Sequence, residues 1–210
     1  MKPLRIAIPS GRMLEDTIEF FKKNLNFDVE LPQNRELIFF DVTHTIQFMM
    51  VRNQDVPLMV LHGGADAGVC GRDLLFENQY DVFYYLDLPF GFCRLSLAIP
   101  EGLSTSDFWR KIYIRIATKY PNLTKDFFFQ KGMSVEIIKL HGSIEVAPIL
   151  KISDGIVDLV STGKTLKENQ LKEIETLMES QAIFIINKGS FYNQFEAFQN
   201  LFASFRKLHV

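Results

Sequence analysis

Residues 163–165 read Gly-Lys-Thr, the triplet that closes a Walker-type phosphate loop. That loop also needs a glycine five positions before Gly163, and the chain has Asp158 there. A carboxylate at that place repels a β-phosphate, so the triphosphatase pattern fails at its first element. The parts of a simpler anion site remain. Ile156–Val160 reads as a buried strand, Ser161-Thr162-Gly163 is small and flexible, and a helical run starts near Lys164. Backbone N–H groups at a helix start favour an anion. An ordinary strand–turn–helix joint capped by Ser161 or Thr162 fits the same residues.

Other groups stand at similar joints. Arg12 follows the strand Arg5–Pro9 and a Ser10-Gly11 turn, the place where strand ends meet ligands in α/β folds. Asp158 interrupts the apolar run "GIVDLV", and burying a carboxylate without a purpose is costly. Lys119 ends the strand of "KIYIRIATKYPN". Asp154 reads as the cap of a turn before Gly155. His62-Gly63-Gly64 reads as a turn, although His62 could reach a base. Trp109 and Cys93 read as packing.

Strands alternate with helices along the chain, which predicts an α/β fold with largely parallel sheets. "MLEDTIEFFKKN" puts Leu14, Ile18 and Phe21 on one helical face. "LIFFDVT" and "TIQFMMV" read as strands, and "QDVPLMVLHGG" as a short helix capped by Asp55 with Pro57 in its first turn. "ADAGVCGRDLLFEN" reads as strand, turn and helix, and "YDVFYYLDL" and "FCRLSLAIP" as strands. "TKDFFFQKG" is a helix stopped by Gly132. "SVEIIKLHG" is a strand, and Ser143 is a plausible N-cap of a helix over "SIEVAPILKIS". "AIFIINK" is a last strand. A final helix from about Ser190 to Lys207 spaces Phe191, Phe195, Phe198, Phe202 and Phe205 by threes and fours, as core or interface. The chain enters a second lobe near Phe92 and returns near residue 184. The expected lobes are residues 1–91 with 184–210, and 92–183, around a ligand-binding cleft.

At 210 residues either lobe count leaves enough length for a core. A net charge of −2 gives no basic field for nucleic acid. The two cysteines, Cys70 and Cys93, show no zinc spacing and fit a reducing cytosol. No apolar run approaches a membrane span, and the apolar core of "MKPLRIAIPSGR" is too short for a signal peptide. The expectation is a cytoplasmic protein.

Five blocks, taken together, resemble the short form of the ATP phosphoribosyltransferase family. They are "IAIPSGRMLEDT", "VRNQDVPLMVLHGGADAGVCGRDLL", "RIATKYPN", "VEIIKLHGSIEVAPI" and "SDGIVDLVSTGKTLKENQL", and they cover nearly the whole chain. The resemblance implies two α/β lobes of the type II periplasmic-binding-protein kind. It implies transfer of the phosphoribosyl group of phosphoribosyl pyrophosphate (PRPP) to N1 of ATP with release of pyrophosphate, the first step of histidine biosynthesis. Mg²⁺ is implied as carried by substrate phosphates, with no protein metal site.

By the same resemblance Arg12, Arg35 and Arg52 are catalytic cations. Glu145, Asp158, Ser161, Thr162, Gly163, Lys164, Thr165 and Lys119 bind PRPP, the loop taking its 5-phosphate. Gly11, Arg12, Arg52, His62 and Asp73 bind ATP. Gln170 replaces a glycine usual in the family's "NGL". The implied partners are a second catalytic chain and a regulatory subunit resembling histidyl-tRNA synthetase, in a hetero-octamer. A solute-binding module of the same architecture is the competing expectation, and one that ordinarily carries a secretion signal.

Overall fold

The computed structural model describes residues 2–25, 29 and 36–206, without the side chains of Arg12, Leu25, Ser204 and Arg206. The chain divides into two compact units. Unit I is Met1–Leu75, Gln79–Gly91 and Gln181–Val210, and unit II is Phe76–Asn78 with Phe92–Ser180.

Unit I begins β1 (Leu4–Pro9), α1 (Arg12–Leu25), β2 (Ile38–Phe40), β3 (Ile46–Val51) and α2 (Val56–Leu61). It continues with β4 (Ala67–Gly71), α3 (Arg72–Asn78), whose last residues Phe76–Asn78 belong to unit II, and β5 (Phe83–Asp87). Unit II holds β6 (Cys93–Pro100), α4 (Thr105–Trp109), β7 (Ile114–Thr118), α5 (Pro121–Gln130) and β8 (Val135–Lys139). Then come α6 (Val146–Ile149), β9 (Gly155–Val160), α7 (Lys164–Glu168) and β10 (Leu171–Ser180). The chain returns to unit I as β11 (Ala182–Ile186), α8 (Lys188–Asn193) and α9 (Phe195–Arg206).

Among the described residues, unit I has a six-stranded sheet in the order β2-β3-β1-β4-β11-β5. Its period-2 alternation feeds two cores. Leu4, Ile6 and Ile8 face α1 and α9, packing with Ile18, Phe21, Phe198 and Phe205. Ala7 faces the other way, with Val56 and Val60 of α2 and with Cys70. Contact on that second face is close: a Cβ at Gly68 would lie 2.6 Å from Val56 and 2.9 Å from Val60. The Phe stripe near the C-terminus is mostly core, since Phe198 and Phe205 are buried, while Phe195 is exposed.

Unit II has a five-stranded sheet in the order β10-β6-β9-β7-β8. The face that carries Ala98, Ala117 and Ile156 packs against Ile144, Ala147 and Leu166. Also within this unit, buried Glu77 accepts the backbone N–H groups of Asn122 and Leu123, 2.9 and 3.0 Å away, at the start of α5. Its carboxylate supplies acceptors for two of the N–H donors that a helix start leaves without an intrahelical partner.

Several sequence expectations need correction. The sheets are mixed, not largely parallel. β1 pairs β3 and β4 in parallel, and β7 pairs β8 and β9 in parallel, but every other pairing is antiparallel. Among the described residues, four of the five antiparallel pairings involve β6, β10 or β11, strands that flank the chain's passages between units, and the fifth is the local β2–β3 pair. β10 went unread because its charge-rich stretch "LKEIETLMES" shows no clean alternation, and its register to β6 shifts twice.

Ser143 is not a helix cap. It sits at φ 46°, and the four-residue α6 starts with Glu145 in the cap position. Asp55 does occupy the cap position of α2, but its side chain makes no cap hydrogen bond. β4 runs straight into α3 with no turn between them. The final helix breaks at Gln194 into α8 and α9, and Lys207 lies outside the described residues. Asp154 is not a turn cap either: it accepts from Lys111 Nζ at 2.6 Å and from the Arg115 N–H at 2.8 Å.

Candidate active site

In unit I the C-terminal ends of the parallel strands β1, β3 and β4 share one sheet edge. Ser10 donates its N–H to the Val51 carbonyl at 2.8 Å, tying the ends of β1 and β3 together. Gly11 follows at φ 87° with open space where a Cβ would stand, so torsion, not crowding, requires glycine here. Arg12 is then the first residue of α1. Arg52 leaves β3 at the same edge and is exposed. Its neighbour Asn53, which sequence reasoning passed over, has a buried Oδ1 with no hydrogen-bond partner among the described residues.

Asp73 lies at the β4–α3 joint of this edge but is 2% exposed. Its Oδ1 occupies the space of Gly71, where a Cβ would stand 2.3 Å from it. His62 is elsewhere. It ends α2, donating its N–H to the Leu58 carbonyl at 3.0 Å. The turn it opens is held at the start of β1, where Arg5 Nη2 donates to the Gly63 carbonyl at 2.9 Å. The length of β1, roughly 16 Å at 3.3 Å per residue, separates that turn from Ser10-Gly11-Arg12. Arg35 lies outside the described residues.

In unit II the parallel strands β7, β8 and β9 present their C-terminal ends together. Thr118 pairs in register with Val157, which places Lys119 beside Asp158. The Thr118 hydroxyl donates to the Val157 carbonyl at 2.7 Å and accepts the Tyr120 N–H at 2.9 Å, fixing where the chain leaves β7. Lys119 Nζ lies 3.8 Å from Asp158 Oδ2. Burial pushes the Asp158 carboxyl above its ordinary range, Lys119 pulls it back only in part, and Glu145 adds repulsion. Glu145, Asp158 and Lys119 therefore form one group.

The GKT turn is next to it. Ser161 and Thr162 are exposed, Gly163 takes φ 74°, and α7 begins at Lys164 with Leu166 buried as its anchor. The Thr162 hydroxyl accepts the Lys164 N–H at 3.4 Å, while Gly163 holds the cap position. The Lys164 ammonium pairs loosely with Glu168, four residues on, at 3.8 Å. Small side chains, N–H groups at a helix start and a cation suit a phosphate monoester. Two carboxylates at the same edge suit vicinal hydroxyls. Among the described residues no three His, Cys, Asp or Glu side chains converge on a metal position.

Sequence reasoning also missed Arg94 and Glu173. Arg94 on β6 grips Glu173 on β10 with Nε at 2.6 Å and Nη2 at 2.5 Å. With β10 unread, no sequence signal linked residues 79 positions apart.

The family model described as ATP phosphoribosyltransferase matches residues 52–207. The ATP phosphoribosyltransferase of Caldanaerobacter subterraneus subsp. tengcongensis is 45% identical over 99% of this chain and 98% of its own length. The ATP phosphoribosyl transferase (HisG:HisZ) complex from Thermotoga maritima contains a chain with TM-score 0.81 and 33% identity, covering 97% of each. The periplasmic aliphatic sulphonate binding protein SsuA from Escherichia coli has TM-score 0.61 at 12% identity, covering 99% of this chain and 72% of that one. At that identity it shows the fold alone, two α/β lobes of the periplasmic-binding-protein kind.

Proposed function

This chain belongs to the ATP phosphoribosyltransferase family, and we propose how its residues divide the reaction between them. It transfers the phosphoribosyl group of PRPP to N1 of ATP and releases pyrophosphate, the first step of histidine biosynthesis. The adenine N1 lone pair forms a bond to C1 of the ribose as the bond from C1 to the pyrophosphate oxygen breaks. The electron pair leaves on pyrophosphate. N1 already holds its lone pair, so no strong general base is required to create the nucleophile.

The barrier lies in the oxocarbenium character at C1 and the charge gathering on the leaving group. Fixed charges answer both. The loop Ser161–Thr165 holds the 5-phosphate. Asp158 and Glu145 accept from the ribose hydroxyls and place negative charge near the sugar. Lys119 faces the PRPP phosphates. Arg12, Arg52 and Arg35 supply positive charge to the pyrophosphate and to ATP, and Gly11 lets the Arg12 turn close. Asp73 holds the β4–α3 joint. His62 keeps the role of a helix stop.

The observation that carries this reading is the grouping of Asp158, Glu145 and Lys119 beside a positive-φ Gly163 turn. Mg²⁺ enters as part of the substrate, on the oxygens of PRPP, and adds positive charge there. A hard cation of that kind is satisfied by phosphate oxygens and water with one or two carboxylates.

Arrangement and place in the cell belong to the same proposal. We place the chain in the cytoplasm, as a homodimer that joins a regulatory subunit of the HisZ kind, resembling histidyl-tRNA synthetase, in a hetero-octamer. The Thermotoga maritima relative is a HisG:HisZ complex. No helix among the described residues is long and apolar enough to cross a membrane.

The test is pyrophosphate release with ATP, PRPP and Mg²⁺, omitting each in turn. Arg12→Ala should lower turnover about 10²-fold or more while the fold stays intact by circular dichroism. Near-normal turnover in that variant would remove Arg12 from the catalytic group.

A further inference from the structure

We infer that Arg94 is a positioning residue of the PRPP 5-phosphate loop, held for that task by Glu173. The inference rests on the proposed role of Ser161–Thr165. Arg94 stands opposite Val160 in the β6–β9 register, next to the point where the loop leaves the sheet. Its guanidinium makes a two-pronged contact with the Glu173 carboxylate, Nε to Oε1 at 2.6 Å and Nη2 to Oε2 at 2.5 Å. The remaining nitrogen, Nη1, lies 3.5 Å from the carbonyl oxygen of Ser161, the first residue of the loop.

Glu173 is itself oriented. Ser96, which is 1% exposed, donates its hydroxyl to Glu173 Oε1 at 2.7 Å, and Thr176 approaches the same oxygen at 3.3 Å. Ser96 pairs in register with Asp158, the ribose carboxylate. One relay therefore runs from the strand position opposite Asp158, through Glu173, to the first peptide of the loop.

The geometry has a definite consequence. A fork gripped on two nitrogens cannot rotate, so its third nitrogen has a fixed direction. In a trans peptide the C=O and the following N–H point opposite ways. Drawing the Ser161 carbonyl toward Arg94 therefore turns the Thr162 N–H to the far side of the turn, where an anion can meet it. A lysine at 94 could keep the charge but not the fork. An exposed ion pair that merely joined β6 to β10 would add little and would leave ligand binding alone.

The experiment is calorimetry on the full chain with ribose 5-phosphate and, separately, ATP. Arg94→Ala should weaken ribose 5-phosphate about tenfold, as loss of a charged hydrogen bond does, and leave ATP within about twofold. Arg94→Lys should recover part of the affinity, and Glu173→Gln should weaken ribose 5-phosphate less than Arg94→Ala does. Gly163→Val serves as the control on the loop itself. If Gly163→Val weakens ribose 5-phosphate and Arg94→Ala does not, the positioning role is overturned. If neither does, the loop assignment fails and takes this inference with it. Equal weakening of ribose 5-phosphate and ATP with a lower Tm also overturns it, because that is the mark of general support. Should Arg94→Ala not fold, unchanged ribose 5-phosphate affinity in both Arg94→Lys and Glu173→Gln overturns it equally.

Discussion

Lys119 Nζ stands 3.8 Å from Asp158 Oδ2, yet the Asp158 carboxyl remains above its ordinary range. Burial outweighs the pairing. The folded protein therefore binds more protons than the unfolded chain between pH 3.8 and the raised folded value. Stability falls as pH rises through that window and stays lower above it. Asp158→Asn should accordingly raise Tm at pH 8, by about 2 °C, while turnover drops. A lower Tm at pH 8, in a thermal melt followed across pH, would show the pairing to dominate.

Gly163 has φ 74°, and a Cβ there would meet only Val160, at 3.9 Å. Space is available, so the penalty for a side chain is torsional, about 1–2 kcal/mol for an ordinary residue. Gly163→Val should weaken PRPP far more than ATP in separate calorimetric titrations. Gly163→Asn, which tolerates the left-handed region, should be milder. Equal loss of both substrates would point to misfolding.

Gln170 also adopts a positive φ, 55°, in the turn between α7 and β10. Its N–H still reaches the Lys167 carbonyl at 3.1 Å. Gln170→Gly relieves the strain and should stabilise by about 1 kcal/mol, or about 2–4 °C in Tm. An unchanged or lower Tm would mean that the glutamine side chain contributes more than the torsion costs.

Asp66 is buried just before β4, at the N-terminal end of unit I's parallel strands, where it accepts from the N–H, Nε and Nη2 of Arg5 and from Ser190 Oγ. Burial alone would raise its carboxyl, but these donors prevail and hold it below 3.8. Its contribution is present above the unfolded value and lost as pH falls through the folded one. Asp66→Asn leaves Arg5 without its counter-charge and should cost about 3 kcal/mol at pH 7, shrinking toward acid pH. Chemical denaturation at pH 7 and pH 3 measures both, and a cost independent of pH would place the loss in packing.

Much of this protein could be read in one dimension because its signals are local. Leu14, Ile18 and Phe21 announce a helix face by spacing alone, and the helix is there. Asp158 breaks an apolar run, and the odd carboxylate proves partly buried and raised above its ordinary range. The GKT turn marks a strand–helix joint whose glycine does take positive φ. What depends on distance along the chain was illegible. The neighbours of His62 read as a turn and only the family resemblance makes it an ATP contact, while the structure ends α2 there, beside the start of β1. Glu173 and Arg94 lie in different strands, 79 positions apart, and only the β6–β10 pairing brings them together. Ser143 looks like a cap by type, whereas the four-residue helix after it leaves no first turn there to cap. Residue type and spacing specify torsions and faces, which are properties of a few neighbours. Which carboxylate meets which cation is settled by strand order and register, and those come from burying two sheets' worth of apolar side chains at once.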